Sequence, residues 1–291
     1  MAQSRIREDA ARASLYGPLL MIVAMFCFVA LDAILKLLVM RYDGLLLSWG
    51  RCLIQVVLVG ALVPFIGGTS VLATARPWLQ AGRGVCLAVT SVAMIVASRV
   101  MPLTEIYIIA FASPLIATII ARLALAEAAT PLQWALIVTG FLGVLVAMNP
   151  TAPTAGLILL LPLAQACGNG VYHVLTRVCG RTDGPFAQLF HSATFATLIL
   201  SVLLPWVWTP MATADAALLL FGGGLVTFGH FLLIKAFTLA PTARVSPMVY
   251  SQIIWSTLFG YLLFGDLPPP TTWIGGAIIV VTGILLIRSR G

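Results

Sequence analysis

Asp32 and Lys36 stand four residues apart in an otherwise apolar stretch, so a helix puts both on one face, where they can pair. A charge at the centre of a bilayer costs roughly 2.5–3.5 kcal/mol, so such groups must be paired, lie near an interface or line water. With Arg51, Arg99 and Glu105 they make up a charged group near one end of the first four apolar stretches. Two readings fit that group: an interfacial ion network that fixes packing, or an outer gate that also recognises a charged substrate. Asp32 is the only acid well inside a stretch, which also makes it the candidate proton carrier.

A second set of polar side chains falls near the midpoints of other apolar stretches: Ser113, Gln165, Asn169, His230, Tyr250 and Gln252. Gln165 and Asn169 are four apart and present two amides on one helix face, suited to a ring with several donors and acceptors. A midplane imidazole such as His230 needs a partner or water. Tyr107, Phe111, Tyr172, Tyr250 and Trp255 could stack on a flat substrate, although aromatic residues in such stretches also serve packing. Ordinary interhelical glue is the competing reading for the amides and the imidazole.

The elements that hold these groups follow from composition. The 291 residues are 61% hydrophobic and 9% charged, against about 25% charged in a soluble domain. With a mean hydropathy of +1.08, the chain reads as a polytopic membrane protein; soluble enzymes, secreted disulfide scaffolds and disordered tails are excluded. Ten runs near the 20 residues needed to cross a bilayer are expected at roughly 15–38, 45–66, 79–100, 104–125, 131–149, 155–178, 186–207, 215–238, 243–264 and 271–288. Lipid offers no backbone hydrogen-bond partners, so all ten must be helices. Pro114, Pro162 and Pro247 are expected to interrupt the fourth, sixth and ninth.

The net charge of +7 is carried by scattered single cations at span ends, so it points to topology and not to nucleic acid. Placing both termini in the cytoplasm puts twelve Lys and Arg residues inside and four outside. The five cysteines lack metal-ligand or CxxC spacing, and no HExxH, GxSxG or Walker A pattern occurs. An enzyme, a metal site, a catalytic residue or a cofactor is therefore not expected.

The halves match at an offset of 139–140: Arg41 and Arg181, Asp43-Gly44 and Asp183-Gly184, Pro102 and Pro241, Glu127 and Asp266, Trp134 and Trp273. Five spans per half is an odd number, so the second copy enters the membrane from the opposite side as an inverted repeat. The expected division is a cytoplasmic tail over 1–14, repeats over 15–149 and 150–288, and a cytoplasmic end over 289–291.

On Pro102-Leu-Thr-Glu-Ile, Ser113-Pro114-Leu, Leu125-Ala-Glu127, Gln133-Trp134 and Gly140-Phe-Leu-Gly143, the first half resembles an EamA-type repeat. The second half does so on Lys235-Ala-Phe-Thr-Leu-Ala-Pro241, Pro247-Met-Val-Tyr250, Gly260-Tyr-Leu-Leu-Phe-Gly-Asp266, Gly275-Gly276 and Gly283. The whole is similar to the drug/metabolite transporter superfamily. Ala126 stands where the family's first repeat has Gly, and Asp266 where Glu is commoner. Leu31-Asp32-Ala33, Lys36, Arg51, Gly229-His230 and Tyr250-Ser-Gln252 with Trp255 resemble a bacterial branch for riboflavin and S-adenosylmethionine uptake. The resemblance implies a secondary transporter in the bacterial inner membrane that takes a small-molecule substrate. Its partner is the lipid bilayer, with homodimerisation left open and no nucleic acid. Export of amino acids or related metabolites is the alternative, and an intramembrane enzyme or channel the remote one.

Overall fold

The computed structural model describes residues 2–113, 115–117, 119–120, 130–149, 156–239 and 246–288. Ten helices run through them: α1 (Ala2–Leu38), α2 (Gly44–Ile66), α3 (Pro77–Ser98), α4 (Leu103–Ala110), α5 (Pro131–Met148), α6 (Leu160–Cys179), α7 (Pro185–Val207), α8 (Thr213–Leu239), α9 (Gln252–Phe259) and α10 (Pro270–Arg288). Among the described residues, seven helices are long and apolar enough to cross a membrane, and shorter apolar helices cover Leu103–Ala117, Met248–Phe264 and Pro270–Leu285.

The turn chemistry of the sequence sets the helix starts. Asp43 caps α2 by accepting from the Leu45 N–H at 2.7 Å. Thr130 and Gln133 cap α5 reciprocally. Pro77, Pro131 and Pro185 stand at or next to the first position of α3, α5 and α7, where a missing N–H costs nothing. Gly67, at φ 128°, closes α2 in a conformation other residues avoid.

The prolines act differently from one another. Pro162 lies in the first turn of α6 and does not kink it, because no helical bond is lost there. Around Pro247 the chain runs as a 3-10 segment, Ser246–Ser251, before α9 begins. Pro114, Arg122, Glu127, Pro241 and Arg244 lie outside the described residues.

The packing repeats under exchange of the halves. α1 lies on α8 as α6 lies on α3; α2 meets α7, and α5 meets α10. Glycines make these contacts close. A Cβ at Gly222 would fall 2.8 Å from Leu31, and one at Gly229 would fall 2.8 Å from Phe28, so α8 sits tightly on α1. Gly224 faces open space. The fold is thus an all-helical bundle of two five-helix repeats, the second threaded in the opposite sense.

Among the glycines of the described residues, the tightest backbone approach is between α5 and α10. A Cβ at Gly275 would lie 2.5 Å from the Ala147 nitrogen and 2.5 Å from the Gly143 oxygen. Backbone cannot rotate away as a side chain can. Gly275→Ala is expected to destabilise the protein by about 3 kcal/mol, read as a lowered unfolding midpoint in detergent. An unchanged midpoint would contradict this packing.

Candidate functional site

α6 carries the clearest record of an interior surface. A Cβ at Gly168 would press on Thr90 of α3 at 2.5 Å, and one at Gly170 on Ile116, beyond α4, at 2.8 Å. The sector of α6 between those two neighbours faces the inside of the bundle. Along it, Pro162, Gln165 and Ala166 are buried, Asn169 is half-buried, and His173 is exposed. Exposure along this sector therefore rises from Gln165 toward the C-terminal end of α6.

The repeat-related surface of α1 is closed. Val29, Ala33 and Lys36 correspond at offset 140 to Asn169, His173 and Thr176, and all three are buried. The same contrast holds between α4 and α9. Residues 109–113 are buried, whereas 248–252, their counterparts at offset 139, are half-buried. One half of the bundle is sealed and the other is open.

The sealed end is held by charge. Lys36 donates to Asp266 Oδ2 at 2.5 Å and to the Met101 carbonyl at 3.1 Å, and lies 4.5 Å from the Phe264 ring centroid. The expected pairing of Lys36 with Asp32 does not form. The turn after α3 and the connection after α9 converge on Lys36, and that connection brings a better placed acid. Asp32 instead accepts from the Tyr107 hydroxyl of α4. Arg41 and Tyr42 bind Asp215 at the start of α8, at 3.1 and 2.9 Å. Lys36, Arg99 and Asp266 line a cavity of about 320 Å³. Glu105 lines an adjoining one of about 540 Å³ with Met101, Asn149 and Pro269.

The opposite end has its own lashing. Asp183 accepts from Thr74, from the Ala75 N–H at 3.0 Å and from Gln80 at 2.7 Å. Burial pushes its carboxyl up, but these bonds, with one from Thr182, outweigh it and hold the group well below the usual carboxylate range. The Asp183 contribution is thus present above the ordinary aspartate range and is lost as pH falls through the depressed native value. Asp183→Asn is expected to lower stability by roughly 2 kcal/mol at neutral pH, measured by thermal unfolding; an unshifted midpoint would contradict it.

Between the two ends the polar groups line up. Arg83 is 2% exposed and donates to Thr176, Gln80, the Gln188 carbonyl and the Tyr172 hydroxyl, whose ring it also covers at 4.6 Å. His230 donates from Nδ1 to the Val226 carbonyl at 2.8 Å and rests on Phe28 at 4.8 Å. That bond lies within its own helix and leaves Nε2 as an acceptor. Gln165 Oε1 and Trp255 Nε1 are buried without a partner among the described residues.

The expected midplane set is only partly united. Gln165, Asn169 and Tyr172 share α6, the first buried and the others half-buried, whereas His230 is half-buried on α8 against Phe28 of α1. Ser113 is buried, and Gln252 is half-buried at the start of α9. Tyr250 packs edge-on against Phe111 at 5.1 Å, but its hydroxyl lies 1.8 Å from where a Cβ of Gly283 would stand. Its polar end is thus lodged on α10. The sequence reading missed Arg83 as a site residue and Asp266 as the partner of Lys36. An arginine about one turn inside the apolar run 79–100, three residues after a glutamine, was the available signal for Arg83.

This arrangement of two repeats around a one-sided cleft has relatives. The EamA-like transporter family matches residues 15–149 and again 155–289. The S-adenosylmethionine uptake transporter of Rickettsia prowazekii is 25% identical over 79% of this chain and 79% of its own length. The riboflavin transporter of Vibrio cholerae is 30% identical over 58% of this chain and 57% of its own. The pseudopaline exporter of Pseudomonas aeruginosa is 26% identical over 94% of this chain and 96% of its own. With two family repeats covering nearly its whole length and ten helices packed in exchange-related pairs, the chain belongs to the EamA-like transporter family.

Proposed function

We propose that the protein is a secondary carrier that moves a small polar organic metabolite across the bacterial inner membrane by alternating access. Riboflavin and S-adenosylmethionine are the first candidates, since relatives are named for their uptake. The observation that carries the mechanism is the unequal exposure of matched positions, with Ala33 buried and His173 exposed. Two similar repeats can trade these environments at little net cost, which converts an opening on one face into an opening on the other. With both termini in the cytoplasm, as the Lys and Arg distribution supports, the open half faces inward.

Direction follows from the gradient to which a carrier is coupled, and the similarity to a pseudopaline exporter supports export as the second reading. Counterflow of labelled riboflavin and S-adenosylmethionine in proteoliposomes tests the carrier: saturable exchange is expected, and flux that never saturates would overturn it. Among the described residues His230 makes no hydrogen bond to another helix, so His230→Ala is expected to lower exchange at least about tenfold while folded yield stays within twofold. Unchanged kinetics at equal protein would remove it from the pathway.

A further inference from the structure

Arg51 is a half-buried guanidinium whose chemistry the fold leaves unused. It lies seven residues into α2, about 10 Å along the helix from its start. Its neighbours Gly50 and Ile54 pack on Leu219 and Gly223 of α8. Its Nε donates to Ser91 of α3 at 2.6 Å. The side chain is therefore directed to the side of α2 that faces α3 and α8.

That single bond pins the planar group by one edge and leaves its Nη1 and Nη2 atoms without a hydrogen bond among the described residues. Neither the Lys36–Asp266 nor the Arg41–Asp215 ion pair includes it. Asp32 and His230 lie within its electrostatic reach, and Arg83 also acts on His230. All four bonds of Arg83 go to neutral groups, and one of them, Gln80, links it onward to Asp183. A guanidinium presents its donors as a fork that fits a carboxylate or phosphate with two parallel bonds. A fork pinned at one edge, with both Nη atoms free of hydrogen bonds among the described residues, suits such a group.

We infer that Arg51 binds an anionic group of the transported molecule, a carboxylate or a phosphate, so that the substrate is an organic anion or zwitterion and not a neutral ring compound. This deepens the carrier reading and rests on it; of the two candidates named above it favours S-adenosylmethionine, which carries a carboxylate, over riboflavin, which is neutral.

The test uses the purified full chain in detergent and ligand-induced shifts of its unfolding midpoint. The probes are riboflavin beside riboflavin 5′-phosphate, S-adenosylmethionine beside its carboxyl methyl ester, and pyrophosphate alone. The first pair reports on phosphate and the second on carboxylate. At least one anionic member is expected to bind about tenfold or more tighter than its partner lacking the anion. Arg51→Gln is expected to abolish that difference, and Arg51→Lys to keep only part of it, because the charge remains while the fork is lost. Ser91→Ala, which removes only the pin, is expected to weaken anion binding severalfold with the unliganded midpoint unchanged. Equal binding of anionic and neutral members by the wild type, no binding of any anionic probe, or the same preference in Arg51→Gln would overturn the inference. Counterflow of riboflavin without anion preference would leave the carrier standing while this inference falls; anion preference without any counterflow would do the reverse.

Discussion

Lys36→Ala is expected to slow exchange by roughly 30-fold, because the sealed end of the bundle loses the side chain that ties the two repeats together. Lys36 joins α1 to the turn after α3 through Met101 and to the connection after α9 through Asp266. It is 11% exposed and its acid 29%, so the pair lies between the buried and surface cases. Removing one partner of such a pair costs about 2 kcal/mol, and every 1.4 kcal/mol is tenfold in a population. The cost falls on the closed end alone, so the resting equilibrium shifts toward opening there. The double variant Lys36→Asp with Asp266→Lys restores the pair with its ends exchanged and is expected to recover most of the rate. Wild-type counterflow by the single variant, at matched protein, would contradict a latch.

The second large effect is at Asp32. Tyr107 is 5% exposed and its hydroxyl donates to this carboxylate. Asp32→Ala strands that hydroxyl, which costs about 1–3 kcal/mol when no acceptor replaces it. It also removes an acid that lies within electrostatic reach of Arg51. Thermal stability and exchange are both expected to fall, exchange by at least about tenfold. Asp32→Asn separates the two roles, since an amide oxygen still accepts from Tyr107 but carries no charge. Its melting temperature is expected to return to the wild-type value while exchange stays low. Recovery of both would reduce Asp32 to a packing group.

What could be read beforehand follows from the range of the interactions. Helix number and helix starts were legible because they depend on local signals: apolar run length, Asp43, the Thr130–Gln133 box and the prolines at first turns. The duplication was legible because Asp43-Gly44 and Asp183-Gly184 sit at one offset. Even so, the two aspartates do different work, one capping its own helix and the other reaching across to Thr74 and Gln80. Partners of buried charges were not legible. The helical spacing of Asp32 and Lys36 favours a local pair, but Asp266 lies 230 residues from Lys36 and only the fold brings it near. Arg83 was absorbed into the count of cations that sets orientation, because a span-end arginine and one buried beneath Tyr172 look alike in one dimension. The seat that Gly283 gives the Tyr250 hydroxyl on α10 was not legible either, since only the fold brings the two together.

The exchange of environments between matched positions is the claim on which the transport mechanism stands, and Ala33 and His173 test it most directly. In a background freed of Cys27, Cys52, Cys86, Cys167 and Cys179, single cysteines at the two positions would be probed with a membrane-impermeant thiol reagent from each side. At rest, the cysteine at 173 is expected to react from the cytoplasmic side and the one at 33 from neither. When Lys36→Ala is added, the cysteine at 33 is expected to become reactive from the outer side and the one at 173 to slow. Reaction of both cysteines from the same face, or no change at either when the latch is removed, would contradict a carrier built on exchange between inverted repeats.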